Sequence, residues 1–545
     1  MVRTTVAHDW NAVTAHPSGG STASLYADKH YVAAILATLE QRGDDAVLLW
    51  QGVWVSALEF RQSIIRTAEG LRLLGIGSQS TVGLLTEANS PLALTARYAA
   101  HLLGVTVVHV RSTNPGPSAP QLPAVAQAQA LRDSAADLLL VDPAHADQGR
   151  EAVRLLDRPI RLAGFGACGA GITDLTTASG AEWSEPPAFA APDPAVVTYT
   201  SGSTGEPKGI CQSFTAWNST VLSAYPTLAS VGTITFLVAT PVSHAVGVIL
   251  DIVIGAGGNV VLHERFDPAQ ALRAIEAERV TGTYMSVPQL YALLDQPELA
   301  GTDVSSLRQL MYSGCPAAPG RLAEAVRTFG AALMQNYGTS EGGRITLLSP
   351  ADHQRPELLA SVGRPYPEVD LRICDPDTEQ VLPRGRTGEV WFRSPNMMAG
   401  YLGDPELTAR TLRDGWLHTG DLGYQDAEGY LYLVGRMNDL IKSRATKIYP
   451  ASVELALMTH QDVVHACVYP MRDDDRLEHV HAAVVMRPGA VCTAEVLRKH
   501  VAQALSPLHA PVRVVRHPEL PLTQAGKVDR RLLQSWDESA PVLDD

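Results

Sequence analysis

The sequence predicts a layered α/β protein with substantial parallel sheet, organised as a large N-terminal domain (1–438) and a small α+β C-terminal domain (439–545). Three observations carry this. Short β-rich runs alternate with helical patterns through the middle of the chain, the signature of helices packed on a parallel sheet. At 545 residues the chain exceeds what one hydrophobic core organises. Beyond Asp439 the texture changes to short strands and one amphipathic helix with a modest core of their own.

The elements follow in order. Asn114–Ala124 and Glu185–Ala195 are Pro/Ala-rich and predict loops between compact units. Ala195–Thr200 is a strand that opens into a Ser/Thr/Gly loop. Phe236–Leu262 is the most apolar region, but Pro241, His244, Asp251 and several glycines interrupt it, so it is buried core and not a membrane span. Asp267 is an N-cap with Pro268 at the first helical position, and Leu272 and Ile275 share a helix face. Strands then follow at Gly282–Val287, Leu307–Tyr312 and Ala332–Tyr337, with a helix near Arg321–Phe329. In the last domain Val464–Tyr469, His481–Met486 and Val512–Val515 predict strands. A helix capped near Thr493 carries Leu497, Val501 and Leu505 at fourfold spacing.

Composition narrows the function classes. Hydrophobic residues make up 46% and charged residues 18%, the balance of a water-soluble globular chain. A formal net charge of −14 argues against a nucleic-acid surface as the main function, though not against an anion held in one pocket. The six cysteines (Cys168, Cys211, Cys315, Cys374, Cys467 and Cys492) show no CxxC pair and no Cys/His spacing. They predict reduced thiols instead of a disulfide framework or a zinc site. Met1–Thr14 has no apolar run or cleavage signature, so a cytoplasmic location is expected.

The strongest local signal is Thr198-Tyr-Thr-Ser-Gly-Ser-Thr-Gly-Glu-Pro-Lys208-Gly209. Its small residues Thr200, Ser201, Gly202, Ser203, Thr204 and Gly205 offer hydroxyl and backbone donors to phosphate oxygens, and Lys208 adds a positive charge. The spacing is not that of a Walker A loop. A flexible Ser/Gly linker is the competing reading.

This segment resembles the phosphate-binding loop of the ANL superfamily of adenylate-forming enzymes: acyl-CoA synthetases, peptide-synthetase adenylation domains and luciferase. Further motifs stand in the family's order across roughly Ala195–Arg530. Asn336-Tyr337-Gly338-Thr339-Ser340-Glu341 resembles the segment in which a ring stacks on adenine, hydroxyls meet the α-phosphate and a carboxylate holds Mg²⁺. Asp421 in Trp416-Leu-His-Thr-Gly-Asp and Arg436 after Gly435 resemble the pair that contacts the ribose hydroxyls. Lys527 in Pro521-Leu-Thr-Gln-Ala-Gly-Lys-Val resembles the lysine that enters the site for adenylation. Residue by residue, Asp421 could instead organise a turn and Arg436 a surface ion pair.

The resemblance implies a small β-barrel-like part in the large domain and a mobile small domain pivoting at Asp439. It implies ATP, Mg²⁺ on Glu341, and coenzyme A as cofactors, with Lys208, Glu341, His244 and Lys527 as catalytic residues. His244 in Thr240-Pro-Val-Ser-His-Ala-Val-Gly would lie beside the carboxylate and the thiol route, or be a structural histidine. Ser313 and Gly314 would line the acid pocket, and Tyr284 and Met285 would either join them or pack in the core. Ala239–Pro241 offers no acidic partner for an α-amino group, which tilts the substrate towards an acid without one.

One departure concerns the thiol step. Arg444 and Ala445 stand where the family commonly has two glycines lining the pantetheine tunnel. Glycine permits positive φ and close backbone approach, so Arg and Ala would crowd the path, pair with a CoA phosphate, or be a tolerated variant. The expected reaction is therefore acid plus ATP to acyl-AMP and pyrophosphate, then thioester formation with CoA. Alternatives are loading of a carrier protein's phosphopantetheine in trans, a single retained half-reaction, or a non-enzymatic nucleotide sensor.

Overall fold

The computed structural model describes residues 30–112, 121–177, 194–201, 207–229, 232–243, 245–443, 446–473, 475, 477–487, 489–521, 528–537 and 540–543. Two large sheets dominate. The nine-stranded one runs, in spatial order, Arg364–Pro365, Gly343–Leu348, Leu333–Thr339, Gln309–Ser313, Gly282–Ser286, Thr235–Val238, Asn259–Leu262, Ala46–Trp50 and Val53–Ser56. Its central strands are parallel and its edges antiparallel. The eight-stranded one is parallel from Thr173–Asp174 to Pro194–Ser201, then turns antiparallel through Pro207–Ser213 and Gly400–Tyr401. A separate antiparallel sheet of five strands is built from residues between Asp370 and Arg436. Three strands, Val463–Arg472, Glu478–Met486 and Arg513–Arg516, form the sheet of the C-terminal part.

Local chemistry sets the boundaries. Asp267 accepts from Gln270 N and Pro268 opens the helix Pro268–Ala277, as its position predicts. The strand expected to reach Val287 ends at Ser286. Ser286 and Gln289 form a reciprocal capping box, so Val287 already belongs to the helix Val287–Leu294. Thr493 caps Ala494–Ala504, with Leu497 and Val501 buried; Leu505 ends that helix 41% exposed. Phe236–Leu262 resolves into strand, helix and strand inside the core. Among the described residues no helix is long and apolar enough to cross a membrane. Most of the two expected Pro/Ala-rich loops lies outside the described residues.

The largest core cluster joins the helices Tyr31–Arg42, Ala57–Leu73, Pro91–Leu102 and Ala245–Gly255 to both large sheets. Inside it sits an ion pair, Arg97 (1% exposed) with Asp251 (0%). Arg97 donates twice to the carboxylate, at 2.8 and 2.7 Å. Tyr98 Oη and Trp217 Nε1 fill its remaining lone pairs at 2.7 and 2.8 Å. Removing one partner strands a buried charge, so Arg97→Met is expected to cost about 3–5 kcal/mol in a urea melt. Arg97→Met with Asp251→Leu should recover most of that loss; a double variant as unstable as the single one would contradict the pairing. Two further clusters are built from residues between Ile441 and Leu543.

Candidate active site

Ser313, Gly314 and Asn336–Glu341 lie at or just beyond the C-terminal ends of the parallel strands Gln309–Ser313 and Leu333–Thr339, where open α/β sheets bind ligands. The strands that flank the Ser/Thr/Gly segment pair with each other. Strand Pro194–Ser201 is followed by an antiparallel return, Pro207–Ser213, with Thr200 opposite Lys208. Sequence reasoning expected the loop but not this return. Gly202, Ser203, Thr204 and Gly205 lie outside the described residues, as does the Ser201 side chain. A Cβ on Gly209 would stand 3.0 Å from Leu402, because segment 400–402 pairs across that strand.

That pairing brings Tyr401 to the site, a residue no sequence motif singled out. Its ring lies 5.8 Å from Lys208 Nζ, and its hydroxyl donates to Glu341 Oε1 at 2.9 Å. Burial and the neighbouring Glu341 push the Tyr401 phenol above its ordinary pKa, so it stays a donor. Glu341 itself rides on the tight turn between Leu333–Thr339 and Gly343–Leu348. Gly338 is required there, since a Cβ would fall 2.2 Å from the Gly343 carbonyl. Thr339 Oγ1 accepts from Gly342 N at 3.1 Å, and the Ser340 carbonyl accepts from Gln212 at 3.0 Å. Asn336 accepts from the Tyr366 hydroxyl.

Asp421 and Arg436 form a second unit that meets the strand Leu333–Thr339 at Tyr337. Asp421 lies opposite Arg436 in the antiparallel register, and Arg436 Nε meets Oδ1 at 3.0 Å. Tyr337 Oη donates to the other oxygen at 2.7 Å. Asp421 sits within the strand Trp416–Gln425, so its carboxylate does not organise a turn. Thr419 does the local work, accepting from Asp421 N at 2.9 Å. Burial, and then Asp421, raise the Tyr337 pKa well above normal. Asp421 likewise raises that of Arg436, whose side chain remains 53% exposed and within reach of a ligand.

Of the acid-pocket candidates, Tyr284 and Ser313 share a hydroxyl hydrogen bond across neighbouring strands. Gly314 follows with φ +102°, a conformation side chains disfavour. Met285 points to the opposite face and is fully buried in the second core cluster. His244, Arg444, Ala445 and Lys527 lie outside the described residues. On either side of Lys527 in the chain, Asp529 N donates to the Pro521 carbonyl at 2.8 Å. Asp439 closes a short turn and meets Arg530 at 3.4 Å, while Arg530 also pairs with Glu454 at 2.8 Å.

The AMP-binding enzyme family matches residues 36–402, and the AMP-binding enzyme C-terminal domain matches 452–527. The chain is 36% identical over 379 residues to a medium/long-chain-fatty-acid–CoA ligase of Mycobacterium tuberculosis, covering 66% of this chain and 65% of that protein. It is 34% identical over 474 residues to an indoleacetate–CoA ligase of Aromatoleum aromaticum, covering 85% and 89%. Among solved structures, an amide bond synthetase from Marinactinospora thermotolerans superposes with a TM-score of 0.83 at 36% identity, covering 93% and 99%. The chain belongs to the AMP-binding enzyme family, within the ANL superfamily of adenylate-forming enzymes and of acyl-CoA synthetase type.

Proposed function

We propose that this protein activates a carboxylic acid with ATP and then transfers the acyl group to CoA. The observation that carries the reading is the joining of two units on one strand: Lys208–Tyr401–Glu341 for the triphosphate, and Tyr337–Asp421–Arg436 for the nucleoside. The chain divides near Asp439, with 1–438 binding ATP and acid and 439–545 bringing Lys527 to them.

In the first step a carboxylate oxygen bonds to the α-phosphorus, the bond to the bridging oxygen of pyrophosphate breaks, and acyl-AMP remains. All reacting groups are anionic, so catalysis reduces to positioning and neutralisation. Lys208 faces the leaving phosphates, Lys527 the carboxylate and α-phosphate, and Thr200, Thr339 and Ser340 donate hydroxyl hydrogen bonds. Asp421 accepts from the ribose hydroxyls while Tyr337 and Arg436 hold its orientation. Glu341 fits Mg²⁺: it is a hard oxygen donor held by Tyr401 beside the Lys208 hairpin, and Mg²⁺ usually takes one or two carboxylates plus substrate phosphates. Bound there, the ion supplies neutralisation of phosphate charge. In the second step the CoA sulfur attacks the acyl carbon and AMP leaves, with His244 assigned as the acceptor of the thiol proton. The acidic net charge and free cysteines accord with a cytoplasmic setting.

A second reading replaces CoA by an amine, giving an amide and AMP from the same acyl-adenylate. Two observations favour it: the likeness to a solved amide bond synthetase, and Arg444-Ala445 in place of two glycines. Arg444→Gly is expected to speed acyl-CoA formation severalfold without changing pyrophosphate exchange. An unchanged or slower CoA step would remove crowding as the role of Arg444. Offering CoA and an amine panel in parallel to preformed acyl-AMP separates the readings, since amide without thioester would overturn the first.

A further inference from the structure

The cysteine spacing predicted no zinc site, yet the fold of the C-terminal part brings together three side chains that are distant in sequence. His460 and Asp462 lie in the turn between helix Pro450–Met458 and strand Val463–Arg472. Cys492 precedes Thr493, the cap of helix Ala494–Ala504. A ligand atom from each lies within 4.8 Å of the other two, and all three side chains are half-buried. We propose that His460, Asp462 and Cys492 form a binding site for a borderline-soft divalent cation of the Zn²⁺ class, separate from the nucleotide site.

Several features support a built site. Cys492 Sγ and His460 Nε2 are 3.8 Å apart. Bonds of about 2.3 Å to sulfur and 2.0–2.1 Å to nitrogen at a tetrahedral angle place the two donors about 3.6 Å apart, so little movement is needed. Thiolate, imidazole and carboxylate together suit Zn²⁺ or Co²⁺ and not Mg²⁺, which prefers an all-oxygen shell. A second histidine braces the first: the His500 ring stands edge-on to His460 at 5.3 Å and is itself fixed to Thr459 Oγ1 at 2.7 Å. Partial exposure leaves water access to a fourth position.

The mass balance is simple. Asp462 N–H points at His460 Nδ1 at 3.3 Å, which puts the neutral ring's proton on Nε2, facing Cys492. On metal binding that proton moves to Nδ1, displacing this long hydrogen bond, and the thiol proton goes to solvent; no oxidant or reductant is required. The three bonds would clamp the turn after the first helix of the C-terminal part to the start of the second.

The test uses the full-length, metal-stripped protein titrated with Co²⁺. The expected result is one equivalent bound with a thiolate-to-cobalt charge-transfer band in the near ultraviolet, displaced by Zn²⁺ and insensitive to excess Mg²⁺. Cys492→Ser should lose the band. His460→Gln and Asp462→Asn should keep the thiol but weaken binding by more than about a hundredfold, since even outer-shell changes cost 10–100-fold. Zn²⁺ should raise the melting temperature of the parent and not that of Cys492→Ser, while acid-dependent pyrophosphate exchange stays unchanged in all three. A missing band in the parent, or the same band in Cys492→Ser, would overturn the site. Should Cys492→Ser fail to fold, unweakened binding in both other variants would overturn it equally.

Discussion

Lys527→Ala is expected to abolish acid-dependent pyrophosphate exchange, by at least about a hundred- to a thousandfold, the scale of losing one positioned charge at a developing anion. Thioester formation from supplied acyl-AMP should survive. The asymmetry follows from where charge moves. In adenylation the carboxylate and α-phosphate are driven together, and a cation between them stabilises the transition state more than the ground state. In thioester formation the phosphate is already a leaving group, and the proposed mechanism gives the small domain a different pose, since lid-like motions complete one constellation at a time. Equal losses in the two steps, measured by exchange and by acyl-CoA appearance, would contradict the assignment.

Asp421→Ala is expected to produce the second large effect, on ATP. The carboxylate is nearly buried, with one oxygen held by Arg436 and the other by Tyr337. In the proposed reading it also accepts from the ribose hydroxyls. Hydrogen bonds to a charged group contribute about 1.5–3 kcal/mol each, so losing two should lower kcat/KM for ATP by roughly 10²- to 10⁴-fold. Tyr337→Phe keeps the acceptor and loses only one orienting bond, and should cost about tenfold. A merely structural Asp421 would lower the melting temperature of Asp421→Ala and leave KM for ATP in place. Steady-state kinetics with a thermal melt on the same preparations distinguishes the two.

The sequence was most informative where local chemistry alone decides structure. Asp267-Pro268 specified a helix start, and alternation of strands with helices specified parallel sheet. Asn336–Glu341 was legible through its resemblance to a family motif, and the close approach of the Gly343 carbonyl to Gly338 is the physical reason that glycine stands in it. Val287 was misassigned to a strand because its β-branched side chain suits either state, and the capping box at Ser286 and Gln289 decided it. Tyr401 was invisible for a different reason. It reaches Glu341 only because Gly400–Tyr401 pairs with a strand nearly two hundred residues earlier, a register that no local pattern encodes. The His460–Asp462–Cys492 group escaped notice for the same reason: its ligands are 32 residues apart and meet through the packing of two helix ends. Arg97–Asp251 is a third case, since two charges in apolar helices give no sign of facing each other until those helices pack.

The proposed reaction forms an acyl-adenylate and passes the acyl group to CoA. The most direct measurement incubates the purified protein with ATP, Mg²⁺, CoA and a panel of carboxylic acids, and reads acyl-AMP and acyl-CoA separately by mass. Pyrophosphate release and acyl-AMP are expected with at least one acid lacking a free α-amine, with acyl-CoA appearing as that intermediate is consumed. Acyl-AMP that accumulates and never becomes acyl-CoA, or no adenylate with any acid, would contradict it.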